Sequence, residues 1–248
     1  TDNSALLDFK YILSNDNRQL DLVVSKVNTL KDIEKENGTS YSSNISSIFT
    51  ALEKGNLLGL AQHLNNNEFE KALQSLVPTT ALSLVNTSSS INSSISGIVS
   101  NRLNSIKSGL NSGDEIVVDN NKLWAKAYGS IGKQDDKDGI SGFDLKTYGL
   151  GLGYDKEYQD GQVFGLGTFY TNAKVETNGV NHENKVDAYS LVAYGSNLLK
   201  DDKTTVYYQT SYSWQKNDSQ RDLFTGERAD AKFTSKTFAL DLKVGHNI

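Results

Sequence analysis

The sequence predicts an all-β transmembrane fold: an up-and-down antiparallel barrel, partial because about six strands are present, preceded by an α-helical segment that runs through the lumen. Three observations carry that expectation. Between Leu145 and Tyr154, Gly149, Gly151 and Gly153 alternate with Tyr148, Leu150, Leu152 and Tyr154. With a side-chain period of two, such a strand has one bare face and one greasy face with tyrosine ends. A soluble sheet has little use for three alternate glycines, whereas a barrel wall meets lipid outside and leaves room inside for whatever fills the lumen. Next, residues 81–110 space Leu82, Val85, Ile91, Ile95, Ile98, Val99, Leu103 and Ile106 roughly as a helix does, yet nearly everything between is Ser, Asn, Thr or Gly. A helix of that composition has poor intrinsic propensity and needs enclosure. Lastly, the strand connections alternate, with tight turns at 157–161 and 200–203 and longer polar ones at 133–141, 177–183 and 218–230. Short turns on one rim and long loops on the other are the pattern of an outer-membrane barrel.

Composition limits the alternatives. The 248 residues carry 25 basic and 30 acidic side chains, a net charge of -5 with no basic block, so nucleic acid is not an expected partner. Without cysteine there is neither a disulfide framework nor a thiolate metal site. Without methionine the chain reads as a mature, processed or truncated piece, and its first residues show no basic region followed by an apolar core. No run approaches the roughly 18 apolar residues of a spanning helix, as expected where strands do the crossing.

Along the chain, a β-prone run at 9–14, a polar turn at 15–19 and a second run at 20–25 predict a hairpin. Residues 45–77 repeat apolar positions at three and four (Ile48, Phe49 and Leu52, then Phe69, Leu73 and Leu76), and Pro78 stops that helical pattern. Six strands follow, near 122–132, 142–157, 162–176, 184–199, 203–217 and 231–245.

Alternation sorts their faces. Tyr148, Leu150, Leu152, Tyr154, Phe164, Leu166, Tyr208, Tyr212, Trp214, Phe238, Leu240 and Leu242 are expected to face lipid. Gly149, Gly151, Gly153, Gly165, Gly167, Gln209, Ser211, Asp241 and Lys243 are expected to line the lumen, since charges avoid lipid, with Asp187 a further lumen candidate. Ile91, Ile95, Asn101, Arg102 and Leu103 belong to the expected pore helix. The first and fourth strands stay ambiguous: Trp124, Lys126 and Tyr128 share one face, and neither set in the fourth strand is cleanly apolar.

Other chemistry finds no support. His63, His182 and His246 fit no ligand spacing, and a calcium loop around Asp135, Asp136, Asp138 and Gly139 would need Gln134 as its first ligand and Leu145 as its twelfth. No catalytic residue, cofactor or metal is expected.

Leu123-Trp-Ala-Lys-Ala-Tyr-Gly-Ser-Ile-Gly132, the acidic loop at 135–141 and Gly142-Phe-Asp-Leu-Lys-Thr-Tyr-Gly-Leu-Gly-Leu-Gly-Tyr-Asp155 resemble the start of an autotransporter β-domain, the translocator of type V secretion. Phe69 to Pro78 is similar to the helical segment that precedes such domains, Ser100-Asn-Arg-Leu103 to the helix threading the pore, and residues 9–25 to the tail of a passenger β-helix. The resemblance implies four parts: 1–30 the end of a passenger, a β-hairpin; 31–80 a helical linker; 81–121 pore helix and connector; 122–248 the N-terminal half of the barrel. It further implies a protein that inserts in the bacterial outer membrane and exports and anchors its own passenger at the cell surface, with outer-membrane lipid, the barrel-assembly machinery and periplasmic chaperones as partners. Relatives have about twelve strands and a terminal aromatic, and some cut themselves at paired asparagines, for which the nearest match is Ser100-Asn101. Closure is therefore expected to draw on strands from a missing C-terminal half or another chain. Two other readings of the residues are a porin-like channel with a periplasmic helical module and a soluble surface adhesin domain.

Overall fold

The structure, a computed structural model, describes residues 4–14, 18–38, 40–77, 79–108, 115–118, 122–137, 141–159, 161–201 and 203–246, without the side chains of 79–82, 115 and 118. The middle of the expected hairpin turn (Asn15 to Asn17), the helix stop Pro78, Leu110 and the acidic-loop residues Asp138 and Gly139 lie outside the described residues.

Strands β1 (Leu7–Leu13) and β2 (Leu20–Val27) pair antiparallel as the expected hairpin. Helix α1 (Leu30–Asn37) starts on a capping box, in which the Thr29 hydroxyl accepts from the Asp32 N–H and the Asp32 carboxylate accepts in return from the Thr29 backbone. Lys26 Nζ, 2.8 Å from the Asp32 carboxylate, together with Thr29 holds that carboxyl well below the usual range. The pattern at 45–77 is not one helix. Gly55 and Asn56, the latter at φ 54, divide it into α2 (Ser43–Lys54) and α3 (Asn66–Leu76), the second opened by an Asn65/Glu68 capping box. Ile33, Ile45, Phe49, Phe69 and Leu73 bury their apolar faces in one cluster, with the Phe49 and Phe69 rings 6.1 Å apart, edge to face.

Helix α4 (Thr79–Ser108) is 30 residues, about 45 Å at the α-helical rise. The sheet that follows has seven strands in sequence order, all antiparallel: β3 (Glu115–Val118), β4 (Leu123–Gln134), β5 (Phe143–Gln159), β6 (Gln162–Thr177), β7 (His182–Leu198), β8 (Thr204–Asp222) and β9 (Arg228–His246). The six expected strands are present, and β3 is an addition. Four residues are too few for alternation to register, and β3 is fixed instead by pairing with β4. Strands β7 to β9 run further toward the long-loop rim than alternation alone indicated, which shortens the loops there.

Contacts of α4 reach from β4 to β9. At one level of the helix Ser100 meets Lys243 of β9 while Arg102 meets Asp155 of β5, four strands away and about 19 Å along a flat sheet, so the sheet curves around the helix. The result is a partial barrel wall. It is not closed: among the described residues β3 pairs only with β4, and β9 only with β8.

The face of β5 that carries Tyr148, Leu150, Leu152 and Tyr154 is exposed, as are Phe164, Leu166, Tyr212, Trp214, Phe238, Leu240 and Leu242, while Tyr208 is half-buried with its ring lying over Gly195. The opposite face is the one that α4 meets. Its glycines do not leave empty space. A Cβ at Gly149 would fall 2.5 Å from the Tyr128 ring, one at Gly151 2.5 Å from the Phe169 ring, and Gly153 and Gly165 lie under Trp124 and Tyr194 in the same way. The wall thus seats its own inner aromatics in glycine notches, and only then meets the helix.

This packing separates two glycine types. Replacing Gly151 by Val overpacks the Phe169 ring and is expected to cost about 1–3 kcal/mol. Replacing Gly97 of α4 by Ala, where no atom lies within 4 Å of the added carbon, is expected to leave stability unchanged or raise it by about 0.5–1 kcal/mol. Denaturant midpoints of the folded chain in detergent check both.

Candidate functional site

The helix meets the wall through an apolar stripe and a set of polar pins. Ile91, Ile95, Ile98, Val99 and Leu103 recur at helical spacing and are buried against Trp124, Val163, Phe169, Ala188, Val192 and Tyr194. Nearer the long-loop rim, Leu84 packs on the separate cluster of Phe143, Leu145, Ala173, Val175 and Val186. Serine is abundant between these positions because its small side chain lets the wall approach while its hydroxyl keeps a partner.

Polar pins run the length of the helix. Asn184 Nδ2 donates to Ser83 Oγ at 2.9 Å, and Ser88 Oγ donates to Gln215 Oε1 at 2.9 Å. Lys243 Nζ reaches Ser96 Oγ at 3.3 Å and Ser100 Oγ at 2.9 Å, and Lys107 Nζ reaches Thr205 Oγ1 at 3.0 Å. Asn184 follows the 178–181 loop, whereas Thr205 follows the tight turn in which the Asp201 carboxylate, held down to about 2 by the Thr204 hydroxyl and the N–H groups of Thr204 and Lys203, closes the chain. Helix α4 therefore runs from the long-loop rim to the short-turn rim.

The strongest pin is buried. Arg102 Nε and Nη2 donate to the two oxygens of Asp155 at 2.9 Å each, and both side chains are only 1% exposed. Tyr194 OH donates to Asp155 Oδ2 at 2.8 Å, and Trp124 Nε1 donates to Tyr194 OH at 2.7 Å. This bidentate, charge-assisted arrangement ties α4 to β5, β7 and β4 at once. A buried charge is tolerated only with such saturation.

Among the residues singled out from sequence, Gly149, Gly151, Gly153, Gly165, Gly167, Gln209 and Ser211 lie on the helix-facing side. Asp241 and Lys243 lie on the same side of β9, flanking a groove of about 770 Å³ between that strand and α4. Ile91, Ile95, Arg102 and Leu103 are buried, whereas Asn101 is exposed. Asp187 falls on the opposite side from the expected one. Its carboxylate accepts from Tyr170 OH at 2.6 Å and Asn172 Nδ2 at 2.9 Å on the outer face.

The ambiguous strands resolve. Trp124, Lys126 and Tyr128 face inward, as do Val186, Ala188, Ser190, Val192 and Tyr194 of β7, an inner set mixed in polarity because it must serve both the isoleucine stripe and the polar pins. Nothing in the sequence marks Asp155, Tyr194 and Trp124 as a set. The signal for Asp155 was parity: it follows Gly149, Gly151 and Gly153 on the same face.

An antiparallel meander wrapped on a polar helix defines the wall of a helix-occupied transmembrane barrel. The particular family follows from comparison: the chain belongs to the family described as Autotransporter beta-domain, whose model matches residues 123–248, beginning at the first residue of β4. An extracellular serine protease of Serratia marcescens is 30% identical over 137 residues, covering 54% of this chain and 13% of that protein. A second extracellular serine protease of the same organism is 28% identical over 142 residues, covering 56% of this chain and 13% of its own length. The chain thus spans only a small part of these relatives. No solved structure matches it. Membership makes the domain a translocator for a passenger in the bacterial outer membrane, a role that is not catalytic.

Removing one partner of the buried pair should cost far more than removing both. Arg102→Ala and Asp155→Ala are each expected to destabilise the folded chain by about 3–5 kcal/mol, whereas Arg102→Leu with Asp155→Leu falls near the parent. A thermodynamic cycle on denaturant midpoints measures this, and protease protection of α4 should fall in the single variants only.

Proposed function

We propose that this domain exports the segment N-terminal to α4 and anchors it at the cell surface, with α4 threaded through the lumen. Residues 1–30 are then the end of a passenger, 31–80 a linker, 81–121 the pore helix and its connector, and 122–248 one part of the barrel. The observation that carries the reading is the course of α4 from the long-loop rim to the short-turn rim, pinned by Arg102 and Asp155 near its C-terminal end. A chain held in this way has its N-terminal part on the long-loop side, and Phe224, from the loop after β8, packs against the cluster formed by α1 to α3. Long loops face outside in such barrels.

In this reading the exposed apolar faces, Leu150, Leu152, Leu240 and Leu242 among them, meet hydrocarbon, and the helix-facing set lines the lumen. Passage draws on no nucleotide. Its drive is the closure of backbone hydrogen bonds in the wall and folding of the passenger outside. The partners are outer-membrane lipid, periplasmic chaperones, the barrel-assembly machinery and further strands, from this protein or another copy, that pair with the free edge of β9.

Single cysteines test the topology, since the chain has none of its own. Leu150→Cys and Leu240→Cys should react with a maleimide dissolved in the bilayer, and Lys31→Cys should react with a bulky membrane-impermeant maleimide on intact cells. Labelling of Lys31→Cys only after lysis would overturn the orientation, and labelling of the leucine positions by aqueous reagent alone would overturn the lipid contact.

A further inference from the structure

Beyond translocation, the outer face carries a feature that the export reading does not use. On each of five consecutive strands an outward aromatic is followed, toward the long-loop rim, by an outward lysine: Tyr148 and Lys146 on β5, Tyr170 and Lys174 on β6, Tyr189 and Lys185 on β7. Strands β8 and β9 continue with Trp214 and Lys216, then Phe238 and Lys236. Parity places all ten on one face, and strand pairing places them side by side. Lys146 is paired with Lys174 and Lys174 with Lys185. Tyr170 is paired with Tyr189 and Tyr189 with Trp214.

Across the five strands the two lines drift in the same sense. In a tilted wall a plane parallel to the membrane cuts obliquely across the hydrogen-bonded rows. The aromatic position moves one row away from the long-loop rim between β5 and β6, where Tyr170 faces Leu150 and not Tyr148. It moves once more between β8 and β9, where Trp214 faces Lys236 and Phe238 faces Tyr212. The lysines step in the same sense: Lys216 faces Asp187, one row below Lys185, and Lys236 faces Trp214, one row below Lys216.

Three of the five lysines of this line make no ion pair among the described residues. Lys174 is shared by Glu176 and Glu183 at 2.7 Å each, and Lys185 lies 2.8 Å from Glu183. Among the described residues Lys146, Lys216 and Lys236 have no carboxylate within ion-pair distance, although Asp144 and Glu176 stand one row beyond Lys146 and Asp187 and Asp218 flank the middle of the line. The Lys216 ammonium lies 5.9 Å from the centre of the Tyr189 ring, at the aromatic level.

We propose that this lysine collar binds the phosphate groups of lipid headgroups in the leaflet on the long-loop side. The proposal rests on the exposed face meeting lipid. Aromatic rings mark the depth of the headgroup boundary, and ammonium groups just beyond it stand where headgroup phosphates lie.

Trp214 is a built-in reporter at that level, and Trp124, buried on the inner face, is not. The chain is reconstituted in mixed vesicles of phosphatidylglycerol and phosphatidylcholine, with bromine on the acyl chains of one lipid at a time, and quenching gives the relative association of each lipid. The expected result is enrichment of phosphatidylglycerol around Trp214 by roughly fivefold, the weight of about one lysine at an anionic surface. Combining Lys146→Gln, Lys216→Gln and Lys236→Gln should return the ratio to about one, and Lys216→Gln alone should lower it. A control losing equal charge in α1 to α3 (Lys31→Gln, Lys54→Gln, Lys71→Gln) should leave it unchanged. Quenching by both lipids in proportion to their mole fractions, or a triple variant that keeps its preference, overturns the collar alone. No quenching by either lipid overturns the membrane contact beneath it.

Discussion

A Ser- and Asn-rich helix of 30 residues holds little stability of its own, and the rest of the fold is arranged around enclosing it. Enclosure sets two demands on the inner wall that compete. The isoleucine stripe of α4 asks for apolar volume, whereas its serines, Arg102 and Lys107 ask for polar partners at fixed heights. The wall answers both by giving each strand a mixed inner face and using glycine to sink its largest rings. Trp124, Tyr128, Phe169 and Tyr194 would stand too far into the bore above any other residue at Gly153, Gly149, Gly151 and Gly165.

Those notches explain why polar pins and aromatic packing converge on the same place. With its ring seated over Gly165, Tyr194 directs its hydroxyl to Asp155, and Trp124, seated over Gly153, supplies the N–H that the Tyr194 oxygen accepts. Asp155 has its lone pairs occupied by Arg102 and Tyr194, so burying the pair leaves little charge unsatisfied. The glycine series at 149–153 is thus tied to helix anchoring through the rings that it admits.

Alternation is legible in the sequence wherever one face is mainly apolar, and this is why β5, β6, β8 and β9 can be sorted by side from sequence. In the proposed membrane setting lipid is a uniform solvent, so an outer face turned to it obeys one rule. The inner face answers to a particular helix, and its mixed polarity hid the orientation of β4 and β7. Asp187 shows the limit of the rule that charges avoid the outer face. Near the long-loop end the strands rise past the aromatic level, and there Tyr170 and Asn172 hold an outward carboxylate without conflict. Strand β3 escaped because four residues give no period to count, and the split between α2 and α3 because their apolar spacing continues across Gly55 and Asn56 while the backbone does not.

The same rule of enclosure extends to the part of α4 that faces β9. Ser88, Ser89, Asn92, Ser93, Ser96 and Gly97 border the groove there, and across it stand Ser235, Thr237, Ala239, Asp241 and Lys243. Past Leu84 and Val85 at one end, both walls are small and mostly polar, and Lys243 reaches across to the hydroxyls of Ser96 and Ser100. Packing on the isoleucine side therefore fixes where the helix sits, whereas long polar side chains fix its rotation and height across a gap that water can enter. A helix seated in this way is held by one dry face and one wet face. This division lets a segment with so little helix propensity remain ordered against a wall that is apolar and aromatic on one side and polar on the other.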